Sequence, residues 1–158
     1  MLIILGMINI NPPKQKTMYQ KDYILRMIEM IGEFIALLMG KIKNGDLEEA
    51  KVFLENAYND FLRKDAAFFM KILAEDLTDT LIGEHNYTNG HLEILSRLFY
   101  AEAELAAAEK DYKRAYEFYH RSLLLLNFVI KESKSFSFED QKSLKEMEEK
   151  MGKIENLK

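Results

Sequence analysis

His85, His91 and His120 are the only histidines in the sequence and there is no cysteine, so nucleophilic catalysis would need a serine partnered with one of these three. No serine sits in a strand-to-helix elbow, because no segment reads as a strand. Glu117-Phe118-Tyr119-His120 is a Glu-x-x-His pair, which di-metal helical bundles use twice together with two further glutamates; here it occurs once. Glu84, His85, His91 and Glu93 flank a turn-rich stretch, but their spacing imposes no ligand geometry, and a solvated turn is the expected state. Glu75 and Asp79 fall one turn apart on the helix expected there, a spacing at which like charges mark a solvated face rather than an acid–base pair. The glycines are scattered, and none precedes a Lys-Ser or Lys-Thr pair, so there is no phosphate loop. The expectation is no catalytic residue, no metal site and no cofactor.

The chain around these residues has 158 positions, enough for one domain that buries about 68–70% of its unfolded surface. With 48% hydrophobic and 30% charged residues it reads as globular, neither disordered nor membrane-embedded. The net charge of −4 gives no counterion-release drive toward nucleic acid or an anionic membrane, so neither is an expected partner. Residues 46–110 carry 14 acidic against 6 basic side chains, a balance that serves solubility and would also attract a basic peptide. Met1 to Ile10 is an apolar run too short to span a bilayer, ended by Asn11-Pro12-Pro13 and lacking the pattern of a secretory signal. Residues 1–17 are therefore expected as a lead-in outside the core, with one domain over 18–158 and a cytoplasmic location.

Apolar side chains at Ile24, Met27, Ile28, Ile31, Phe34, Ile35, Leu38, Met39 and Ile42 recur every three to four positions and predict a helix over 20–43. Leu25, Met30 and Leu37 lie off that stripe and ask for cover on another side, by neighbours or by a second copy of the chain. Asn44-Gly45 ends this helix and Asp46 caps the next, over 46–63, with Ala50, Leu54, Ala57, Tyr58 and Phe61 facing inward. A third helix is expected over 65–82 with Asp65 as its cap and Phe68, Phe69, Ile72, Leu73, Leu77 and Leu81 as its buried face, followed by a loop over Gly83–Gly90. Leu92, Leu95, Leu98, Phe99, Ala103 and Ala106 mark a fourth. A fifth, from 111 to 132, is apolar nearly all round in its second half and is expected to be the most enclosed. After a polar break at 133–137, Leu144, Met147, Met151 and Ile154 form a thin stripe among charges. It suits a solvent-facing capping helix with pairs such as Glu146–Lys150, or alternatively a dimer seam. The fold class is all-α, with about six helices arranged as antiparallel hairpins.

The turn segments Asn44-Gly45-Asp46 and Glu109-Lys110-Asp111, each followed four residues after the aspartate by Ala50 or Ala115, repeat one another. With Phe34, Leu54 and Ala57 in one unit and Phe99, Ala103, Tyr119 and Ser122 in the other, the chain resembles the helix-turn-helix of tetratricopeptide repeats. The departures are Leu38 where that pattern has a small residue, Leu62 and Asn127 in place of the closing proline, and 65 residues between the two alanines where two periods give about 68. The resemblance implies an irregular right-handed array whose first helices line a concave face. It implies Ile35 and Met39 there from the first unit and Arg97, Tyr100 and Glu104 from the second, suited to an extended peptide or a partner helix. Tyr19 to Glu29 also resembles the opening of a family of small bacterial helical proteins, which implies Met18 as the start and no particular activity. The function expected is thus a protein- or peptide-binding scaffold. The alternatives are a small helical enzyme or metal binder, and a structural homodimer paired through helix 20–43.

Overall fold

Every regular element of the computed structural model, which describes residues 17–133 and 138–158, is helical. The lead-in expected over 1–17, except for Thr17, and the polar break at 134–137 lie outside the described residues. The described chain holds seven α-helices: α1 (Thr17–Lys43), α2 (Leu47–Leu62), α3 (Ala66–Met70), α4 (Leu77–His85), α5 (Asn89–Ala108), α6 (Tyr112–Ser133) and α7 (Phe138–Ile154). The seventh arises because the single helix expected over 65–82 is broken. Short 3-10 turns cover Ala74–Asp76 and Glu155–Leu157.

Two antiparallel hairpins carry the fold, and their turns are built alike. In the first, the Gly45 N–H bonds to the Ile42 carbonyl and the Asp46 N–H to that of Lys41, at 3.0 and 2.9 Å. In the second, Lys110 and Asp111 bond to Ala107 and Ala106 at 3.0 and 2.9 Å. Both are Schellman closures around a left-handed residue, Gly45 at φ 86° and Lys110 at φ 64°. Asp111 also accepts from the Arg114 N–H at 3.3 Å, whereas Asp46 holds the cap position without a side-chain bond. Ala50 and Ala115 are both fully buried, as the close approach of paired helices requires.

The middle of the chain departs from the sequence pattern. Asp65 does cap α3, accepting from the Phe68 N–H at 2.9 Å. The helix then stops, Leu73 turns extended at ψ 145°, and α4 begins only at Leu77. In an unbroken helix the positions 69, 73, 77 and 81 would drift around the axis by about 120° in all. The break resets the register, so that Phe69, Leu77 and Leu81 are all buried while Leu73 is left 60% exposed. Arg121, itself buried on α6, points its guanidinium at the Phe69 carbonyl where α3 ends, 3.5 Å away. The loop expected over 83–90 shrinks to three residues, because α4 runs through His85 and Thr88 already caps α5.

The most enclosed helix is α5, not α6. Eleven of its residues are buried, against seven on α6, whose Leu123, Leu124, Val129 and Ile130 are only partly covered. The reason is position: α5 packs against α1, α2 and α6, whereas α6 packs against α5 and α7. On α1, Met30 joins the core, but Leu25 and Leu37 stay more than half exposed. Within the second hairpin Glu102 on α5 also pairs with Arg114 on α6, 3.1 Å apart. Burial raises the Glu102 pKa even with Arg114 beside it. Among the described residues no helix is long and apolar enough to cross a membrane.

Candidate functional site

Helix α5 has one face that no other helix of the two hairpins covers, and its polar side chains collect there. Glu93, Arg97, Tyr100 and Glu104 follow one another at steps of four, three and four, which keeps them on one stripe. At its N-terminus α5 is fixed against α1. The Thr88 hydroxyl accepts from the His91 N–H, and His91 Nδ1 accepts from the Thr88 N–H at 3.0 Å, closing a capping box. The next-door Gly90 lies so close to α1 that a Cβ there would fall 2.1 Å from Ile24 Cγ2. Further along, Arg97 passes over Gly32 of α1.

A cleft of about 430 Å³ opens over this stripe. Its floor is Ile35 of α1, Ser96, Arg97 and Tyr100 of α5, and Leu126 of α6; its other wall is α7, through Asp140, Lys142, Ser143, Glu146 and Met147. Ser96 and Ser122 make the floor thin. Each hydroxyl donates to the other residue's carbonyl, at 2.9 and 2.7 Å, so both are satisfied where α5 and α6 touch.

At the end of the stripe, one carboxylate gathers three donors. Glu104 accepts from the Tyr100 hydroxyl at 2.9 Å, from Lys150 Nζ at 2.5 Å and from the Tyr119 hydroxyl. Lys150 comes from α7, donates to the Tyr100 oxygen at 2.7 Å and sits 4.9 Å from the centre of that ring. Burial works against the Lys150 charge, but the hydrogen bonds to Glu104 and Tyr100 outweigh it and hold its pKa above the ordinary lysine value. Burial, reinforced by the Glu104 carboxylate, pushes the Tyr119 hydroxyl far up, so it remains a proton donor. The cluster is a receptor for a primary ammonium: an anion in front and an aromatic face alongside.

Of the concave-face residues named from the sequence, Ile35, Arg97 and Tyr100 line the cleft and Glu104 adjoins it through Tyr100. Met39 does not line it; it is half-buried on α1, packed against the core. Sequence reasoning missed Glu93, Ser96 and the whole α7 wall. Glu93 was legible, standing four residues before Arg97. Lys150 was legible too, since it falls three after Met147 and four before Ile154 and so shares their face; instead of pairing with Glu146 it reaches across to Glu104. Met147 and Ile154 are buried within this chain, so the α7 stripe packs at home rather than serving as an open dimer seam.

The other candidates stay apart. His85 stacks edge-on against Phe68, with ring centres 5.0 Å apart, and His91 is engaged in its cap and stacked on Tyr87. Glu117 and His120 are exposed on α6, where Glu117 lies 3.5 Å from Arg121 Nε. Glu75 falls in the 3-10 turn and Asp79 in α4, both exposed, so they are not neighbours on one continuous helix. Among the described residues no three His, Asp or Glu side chains gather as metal ligands would.

In comparisons with known proteins the chain matches no family model, no curated protein and no solved structure.

Proposed function

We propose that the chain is a protein- or peptide-binding module of helical-repeat type, resembling tetratricopeptide repeats, which acts by contact in the α1/α5/α7 cleft and not by catalysis. The observation that carries this reading is the cleft itself, with an apolar corner at Ile35 and Leu126 and a polar run along Glu93, Arg97 and Tyr100, which Glu104 adjoins. Its lining carries Glu93, Glu139, Asp140 and Glu146 against Arg97 and Lys142, so the favoured occupant is a segment of net positive charge. The bacterial, cytoplasmic setting belongs to the same reading and is supported by the resemblance of residues 19–29.

Selection of displayed random peptides against the full chain tests it. Enriched peptides should be cationic, should bind more weakly as salt rises, and should lose at least tenfold in affinity on Glu93→Lys. No enrichment, or binders indifferent to substitutions in the cleft, would refute the reading. A second reading, a homodimer through α1, is favoured by Leu25 and Leu37, which are 58% and 56% exposed on that helix. Light scattering over a range of concentrations decides it, since a strict monomer removes the homodimer.

A further inference from the structure

Helix α7 is attached to the rest of the molecule in a lopsided way. Toward its C-terminus it is anchored, by Met147 and Ile154 in the core and by the Lys150 ammonium in the Tyr100–Glu104 receptor. Toward its N-terminus it stands off, with Lys142, Ser143 and Glu146 facing Arg97 and Ile35 across the cleft. Among the described apolar side chains of α7 only these two are buried, Leu144 and Met151 being half-covered, whereas α5 beneath it buries eleven residues. A largely exposed helix held by two buried apolar side chains and one lysine has the build of a ligand seated in a groove.

Resting on the contact role in the proposed function but not on α7 as a fixed wall, we infer that α7 is an internal stand-in for the partner: the surface it covers on α5 and α6 is the docking site, and a partner helix binds by displacing it. Ile35, Glu93, Arg97 and Leu126 then remain to meet the partner, while the acids of α7 leave with α7. The chemistry of that partner follows from what α7 already satisfies and what it leaves open. It is an amphipathic helix with apolar residues at the spacing of Leu144, Met147, Met151 and Ile154 and a lysine in the place of Lys150. At the places of Ser143 and Glu146 it carries apolar or basic residues that fill the cleft and face Glu93. Displacement then exchanges one lysine for another in the same receptor, so the ammonium site is never left empty in the bound state.

A labelled 17-residue peptide with the sequence of residues 138–154, titrated by fluorescence anisotropy into the full chain, tests this directly. The Lys150→Glu chain, whose own α7 is repelled by Glu104, should bind the peptide at least tenfold more tightly than the unaltered chain. The same peptide carrying Lys150→Ala should lose at least tenfold on that variant. The Lys150→Ala chain gives a second, milder release and should fall between the two. Amide exchange on the unaltered chain supplies an independent readout: α7 should open at least tenfold more readily than α5, and Lys150→Ala should widen that gap without touching α5. Equal peptide binding to both chains would overturn the displacement while leaving a peptide-binding cleft in place. Absence of binding to either, or exchange of α7 only together with α5, would overturn it as well, and the cleft reading then stands or falls on the display selection alone.

Discussion

Removing the Glu104 carboxylate should destabilise the fold by an amount that depends mainly on Tyr119. Tyr119 is 2% exposed and Glu104 is the acceptor for its hydroxyl, so Glu104→Ala leaves a buried donor unsatisfied, at a cost of about 1–3 kcal/mol. Tyr100 and Lys150 are partly exposed and regain water, so together they add no more than about 1 kcal/mol. The expected loss is about 2.5 kcal/mol, or roughly 5–10 °C in Tm for a chain of this size. Tyr119→Phe alone should cost about 1.5 kcal/mol, the net worth of a hydrogen bond to a charged group. The double variant is the sharper test. Once Glu104 is gone the Tyr119 hydroxyl has lost its acceptor, so adding Tyr119→Phe should cost nothing further or recover part of the loss. Urea unfolding followed by circular dichroism measures all three. A Glu104→Ala loss under about 0.5 kcal/mol, or two single effects that simply add, would show that the cluster does not hold α5, α6 and α7 together.

Lys110 occupies the left-handed position that Gly45 fills in the first hairpin, so Lys110→Gly should raise stability by about 1 kcal/mol and Gly45→Ala should lower it by a similar amount, read from thermal melts. Gly90→Ala drives a methyl into Ile24 and should cost about 1–3 kcal/mol. A Gly90→Ala, Ile24→Ala double variant should be more stable than the sum of its parts, and strict additivity would mean that the contact is not tight. Burial holds the His91 pKa below its ordinary 6.5, and only the neutral ring can accept at Nδ1 from Thr88. The unfolded chain therefore takes up the proton first, and relative to His91→Gln the protein should lose stability as pH falls below about 6.5, levelling off below the folded pKa. A flat difference between pH 8 and pH 5, taken as the end points of a urea series and chosen to bracket roughly 6.5, would remove His91 from the cap.

The apolar period gave the helices away because it reports which face of each is buried. Met27, Ile31, Phe34 and Leu38, and then Leu92, Leu95 and Leu98, are all in the core as their spacing demands. The paired turns were legible for a similar reason: Asn-Gly-Asp and Glu-Lys-Asp each offer a left-handed residue followed by a cap, and Ala50 and Ala115 mark the close approach. What period cannot report is which neighbour covers a face. The second half of α6 looks apolar all round, yet it lies at the margin, while α5, with Glu102 and Glu104 on it, is central. The break at 71–73 escaped because Phe69, Leu73 and Leu77 read equally well as one drifting stripe, and only the packing of Leu77 and Leu81 selects a reset. The loop at 83–90 was overdrawn because its turn-forming residues were weighed by composition, whereas Thr88 and His91 cap each other and draw α5 forward to Asn89.

The location of the candidate site follows from the same geometry. A helix enclosed by three neighbours has a single free face, and any polar stripe it carries must lie on that face or be buried at high cost. On α5 the stripe Glu93, Arg97, Tyr100, Glu104 is such a set. It is bounded on one side by the Ser96–Ser122 contact with α6 and on the other by Gly32 of α1, over which Arg97 passes. Two of its members are charged with opposite sign, Glu93 and Arg97 at 3.5 Å, and they partly answer each other within the helix. Glu104 lies out of reach of Arg97 along the stripe and needs a cation from elsewhere. The fold supplies it from the last helix in the chain, across 46 residues, through a side chain that is itself one-third exposed. An anion fixed on the most enclosed helix, answered by a cation on a largely exposed one, is an asymmetry that core packing alone does not require. It makes Lys150 the replaceable member of the pair.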